Sequence, residues 1–122
     1  MQQPVPNVFR ADVERIVRRD FPVEDRSRVL SILDEYRPES GEPSRVQLAV
    51  LKLAAGDIAS LRREIERAKY DFRDVLVAAE YPKDWEAHLR KDVSIDDMPP
   101  DEREKIYEQD WQQYEAWLKR LA

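Results

Sequence analysis

Apolar positions along this chain recur every three and four residues, the spacing that gathers side chains on one face of an α-helix. Nowhere does the period-two alternation of a half-buried strand appear. Phe9, Val13, Ile16 and Val17 form the first stripe and predict a helix over 7–20, with Asn7 as its cap. Pro22 interrupts. Val29, Ile32, Leu33 and Tyr36 predict a second helix over 24–36. The run from Arg37 to Pro43 holds two prolines, a serine and a glycine, and cannot sustain a helix. A third helix follows over 44–55, where Val46, Ala49, Val50 and Leu53 share a stripe that Leu48 and Leu51 widen. A helix apolar around much of its girth belongs at the centre of a bundle. Gly56 suits the position just past its end.

Asp57 is placed to cap the longest helix, 58–80, whose length is about 35 Å at 1.5 Å per residue. Ile58, Leu61, Ile65, Ala68, Phe72, Val75, Leu76 and Ala79 keep one stripe throughout it, and Pro82 stops it. The third and fourth helices read as an antiparallel hairpin turning at 55–57. A short helix over 84–91, a polar stretch over 92–100 and a last helix over 100–121 complete the chain. Tyr107, Trp111, Tyr114, Leu118 and Leu121 make the apolar face of that last helix. The expected fold is all-α: a single-domain helical bundle of about five helices, at least roughly 60% helix, with the long helix as its central axis.

Composition agrees with this pattern and removes several classes of chemistry. A length of 122 residues suits one core. Two glycines are too few for the turns of a sheet protein. No cysteine is present, so disulfides, thiolate metal sites and cysteine nucleophiles are out. No apolar run approaches the roughly 20 residues of a membrane span. The start, Met1 to Pro6, has neither a basic nor an apolar leader region, so the expected location is cytoplasmic. A net charge of −5 argues against nucleic acid as partner, which calls for a basic face.

No phosphate loop, dinucleotide fingerprint or nucleophile elbow occurs. One histidine, His88, cannot supply a pair of imidazole ligands, and the residue three before it is Trp85 rather than a glutamate. Carboxylates are the only plentiful catalytic groups. Asp71 and Asp74 sit three apart on the long helix, where they would hold a divalent cation or share acid–base work; Arg63, Arg67 and Arg73 beside them point instead to a solvated ion-pair face.

The segment 92–104 is the strongest charge feature. Asp92, Asp96, Asp97, Asp101, Glu102 and Glu104 stand against Arg103 alone, a net −5 equal to that of the whole chain. It reads either as a patch for a basic partner or as a solvated loop with acids at a helix N-terminus. Tyr70 and Val77 lie off the main stripe of the long helix, either under the last helix or as an exposed strip. Trp117 lies one position off its own stripe and is the leading candidate for an exposed aromatic anchor.

Arg-Val-Gln-Leu-Ala-Val-Leu-Lys-Leu-Ala-Ala-Gly-Asp from Arg45, and Tyr-Asp-Phe-Arg-Asp-Val-Leu-Val-Ala-Ala-Glu-Tyr-Pro from Tyr70, resemble a group of short bacterial helical proteins of unassigned activity, as does the run from Phe21 to Tyr36. The resemblance spans 21–82. It implies a bacterial, cytoplasmic, helical protein and carries over no functional residue. Within it, Asp74, Glu80 and Tyr81 are the residues that packing alone does not require. The function expected is a non-enzymatic protein–protein interaction module, one form being an immunity- or antitoxin-like inhibitor, with no cofactor, no nucleic acid and no membrane. The candidate partner-binding residues are Asp96, Asp97, Asp101, Glu102, Tyr70, Val77, Tyr81 and Trp117, facing a partner with a basic surface. The alternative is a small-ligand or divalent-cation binding protein, or an enzyme, using helix-borne carboxylates.

Overall fold

A computed structural model describes residues 6–36, 43–83 and 99–120, and these are all-α: 83% helical, without a strand. Among the described residues five helices stand out: α1 (Arg10–Asp20), α2 (Val23–Leu33), α3 (Ser44–Ala54), α4 (Ile58–Glu80) and α5 (Pro100–Lys119). The helix expected over 84–91, and the acids Asp92, Asp96 and Asp97, lie outside the described residues. None of the described helices is long and apolar enough to cross a membrane.

α3 is the buried centre. Val46, Leu48, Ala49, Val50 and Leu51 are inaccessible or nearly so, so both flanks of the helix face protein. Gln47 is buried with them and is satisfied twice: its amide donates to the Leu33 carbonyl at 3.0 Å and its oxygen accepts from Arg10 at 3.1 Å. One side chain thus ties α3 to α1 and to the end of α2, as a buried amide requires. α3 and α4 form the expected antiparallel hairpin, since Arg45 at the start of one meets Glu80 at the end of the other. The turn uses two positive φ angles, 51° at Ala55 and 81° at Gly56. A β-carbon on Gly56 would stand 3.2 Å from the Asp20 carbonyl, so glycine serves here both for its φ and for close approach of α1.

Two ends differ from the sequence reading. α1 begins at Arg10 rather than 7, and Asn7 is exposed rather than a cap. Pro6 to Phe9 is non-helical, with Phe9 extended, and alternates in burial, so Val8 enters the core while Phe9 stays 61% exposed. The cap contact is made in reverse: the Phe9 N–H donates to Asp12 at 2.9 Å. α2 stops at Leu33, and Tyr36 reaches the core from the turn beyond it. α5 buries Asp110 and Tyr114, while Tyr107, Trp111 and Leu118 are half-buried, because α5 meets the end of α4 rather than lying along it. Its C-terminal carbonyls are bound by α1: Arg15 donates to Leu118 at 2.8 Å, and Arg19 to Trp117 at 2.5 Å and Arg120 at 2.9 Å. These contacts satisfy the orphan carbonyls of a helix end and set charge against its dipole.

Candidate protein-binding surface on the broken helix

α4 is broken in its middle. Asp71 has φ −154° and ψ 99°, an extended conformation inside an otherwise helical run. Its carboxylate accepts from the Arg73 N–H at 3.1 Å and from the Arg73 guanidinium at 3.1 Å and 3.4 Å. An extended residue whose side chain takes an N–H two residues on is an N-cap. Asp71 therefore starts a second helical segment, with Phe72 first and Asp74 third. The sequence carried this signal as Asp71-Phe-Arg-Asp74, a capping residue followed three on by an acid in the first turn. The apolar stripe running through it concealed the break.

The break overturns one position in the stripe. Leu61, Ile65 and Ala68 before it, and Val75, Leu76 and Ala79 after it, are buried as expected. Phe72 is not: at the restart it is 43% exposed. Tyr70, on the other side of Asp71, is 94% exposed and does not pack beneath α5. The two rings border a groove of about 640 Å³ whose walls include Tyr36, Ala68, Lys69 and Arg73. Lys69 is held there by Glu35 at 3.0 Å and Glu66 at 3.1 Å, and those hydrogen bonds, Glu35 first, raise its pKa. Arg73, side-chain hydrogen bonding first, lowers the pKa of Asp71. The charges around the rings are thus internally matched.

The cap makes a specific expectation. Asp71→Ala lowers the melting temperature by a few °C, whereas Asp71→Asn and Asp71→Ser keep most of it, because either oxygen still accepts the Arg73 N–H. Because the folded-state pKa of Asp71 is lowered, its ionised contribution is present above the ordinary carboxylate range and is lost as pH falls through the lowered value. A thermal denaturation series over the four proteins checks this; equal losses for Ala and Asn would mean that the carboxylate charge, not the cap, matters.

Glu80 and Tyr81 serve the interior. Glu80 is 2% exposed and takes three hydrogen bonds from Arg45, at 2.6, 2.9 and 3.2 Å. Arg45 also donates to the Tyr81 hydroxyl at 3.2 Å. Burial, with the Glu80 carboxylate beside it, pushes Tyr81 up to about 12 against the pull of Arg45. Tyr114 is raised further, chiefly by burial. Since both folded-state values are raised, stability is full below the ordinary tyrosine value near 10 and declines as pH climbs toward 12. Alkaline unfolding followed by circular dichroism should begin in that window and move upward in pH for Tyr81→Phe. Asp110, 1% exposed, accepts the Lys83 N–H at 2.8 Å and so ties the residues just past α4 to α5. Periodicity gave no warning of it, because an acid between Tyr107 and Tyr114 reads as part of a polar face.

The other expected site residues scatter. Val77 is half-buried beside Arg67, Asp74 and Ala78, around a small cleft of about 200 Å³. Trp117 is half-buried, with the Arg19 guanidinium 5.2 Å from its ring centroid and Tyr114 at 5.6 Å, and so serves to hold α5 to α1 rather than standing free. Asp101 and Glu102 are exposed in the first turn of α5. Among the described residues, no three acidic or histidine side chains converge as a metal cluster. Asp71 and Asp74 occupy the cap and third positions of one helical start, Asp71 being engaged by Arg73. No family model, no curated protein and no solved structure matches this chain.

Proposed function

We propose that this chain is a non-enzymatic protein-binding bundle that docks its partner on the broken face of α4. One observation carries the reading: Tyr70, 94% exposed, and Phe72, 43% exposed, flank a groove on a helix whose other large apolar side chains are buried or half-buried. Aromatic rings held by a rigid helical frame are the side chains that most often anchor protein interfaces. The matched charges around them favour a partner that offers apolar side chains to the groove. The exposed Asp101 and Glu102 supply a separate acidic contact that steers a partner with a basic surface. An immunity- or antitoxin-like inhibitor is one form this takes. The carboxylate alternative draws less support, because Glu80, Asp110 and Glu64 are each bound by the protein's own donors.

A photocrosslinking amino acid at position 70 tests the docking face directly. With the full-length protein in its source cell, position 70 should give a discrete adduct with one protein, and exposed Ala59 on the same helix should give none. Adding Phe72→Ser should reduce that adduct several-fold. Equal labelling at 70 and 59, or none at 70, overturns the assignment.

A further inference from the structure

A second feature lies where α1, α3 and α5 all end. Arg19, Asp20, Lys52, Ala55, Gly56, Trp117 and Arg120 line a cleft of about 420 Å³ there, within the size range of small-molecule sites. Three of these seven are cations, in a chain of net charge −5. Arg19 and Asp20 cancel, through contacts of 2.8 and 3.4 Å. Arg120 touches the same Asp20 carboxylate only loosely, at 3.6 Å, and keeps 63% of its side chain exposed. Among the described residues Lys52 has neither a hydrogen bond nor an ion pair, although burial lowers its pKa and the Asp110 charge acts against that shift.

Three helix C-termini would ordinarily account for cations at such a place. Here several of the carbonyls already have donors. Val17 accepts from the Phe21 N–H at 3.0 Å and Arg18 from Arg26 at 2.9 Å. Leu51 accepts from the Ala55 N–H at 3.2 Å and Ala54 from Asp57 at 3.0 Å. The end of α5 is held by Arg15 and Arg19. Among the described residues Lys52 donates to none of these carbonyls, and a partly desolvated ammonium without a partner opposes folding. A group kept at a cost to stability in a cleft is characteristic of a binding site.

We infer that this cleft binds a small anion of the phosphate class, held by Lys52 and Arg120 with Arg19 as the fixed wall. Lysine takes such an anion as a point charge and arginine adds directional donors. Asp20 does not repel it appreciably, because Arg19 lies against that carboxylate. The site is independent of the docking face on α4 and stands whether or not that face binds a protein.

The test uses inorganic phosphate and the whole chain at constant ionic strength. Phosphate should raise the melting temperature of the wild type saturably, by about 4 °C at ten times its dissociation constant. Lys52→Met should melt higher than the wild type without phosphate and show no phosphate response. Lys52→Arg should keep a weakened one. Three results overturn the inference: no phosphate shift in the wild type, the same shift from chloride at matched ionic strength, or the same shift in Lys52→Met. A Lys52→Met protein that melts lower than the wild type overturns it too, since Lys52 would then be stabilising the end of α3.

Discussion

Replacing Arg45 by Met should destabilise the protein by about 3 kcal/mol, although nearly a third of that side chain, 31%, faces solvent. The loss comes from the other partner. The Glu80 side chain is 1% exposed, and its carboxylate accepts three hydrogen bonds, 2.6 to 3.2 Å, from this one guanidinium. Without Arg45 an ionised carboxylate is left in the interior, which costs far more than the pair contributes when intact. The exposure of Arg45 puts the effect at the low end of the range for buried pairs. Arg45→Met combined with Glu80→Leu should therefore recover most of the loss, because two apolar groups of similar volume leave no charge unpaired. Urea denaturation of the two single variants and the double variant gives the coupling energy. Additive losses would show that the two side chains do not depend on each other.

Leu61→Ala should cost about 3–4 kcal/mol and Phe72→Ala less than about 1 kcal/mol, although both residues sit in one unbroken apolar stripe of the sequence. Leu61 is fully buried between α4 and the central α3, where close-packed neighbours cannot collapse into the space of three lost carbons. Phe72 stands at the restart after Asp71 and loses mainly solvent-facing surface. Leu76, 8% exposed, should behave like Leu61. Denaturation midpoints for the three alanine variants rank them. A Phe72→Ala loss as large as that of Leu61→Ala would mean that α4 runs straight and buries the ring. The docking proposal would fall with it.

The element order and the core were legible in the sequence because helical periodicity is local. Val13, Ile16, Val29, Ile32, Leu33, Leu48, Val50, Leu61, Ile65 and Ala79 are buried as their spacing predicts, and α4 starts and stops where Asp57 and Pro82 place its ends. Each of those inferences needs only the 3.6-residue repeat and the chemistry of one cap or one breaker. Tertiary contacts decided the rest. Whether Asp71 continues a helix or restarts one depends on the competition between a side-chain cap and one turn of backbone bonds, and the stripe reads the same in both cases. Phe9 and Val8 exchange places because a non-helical entry segment alternates sides, which a helical reading cannot anticipate. Polar groups were least legible of all. Glu80, Asp110, Gln47 and Lys52 look alike in a polar pattern, yet the first three meet Arg45, Lys83 and Leu33 across 14 to 35 residues of chain and the last has no hydrogen-bond partner among the described residues. A buried charge is decided by what lies opposite it, and only the packing of α3, α4 and α5 brings those residues together.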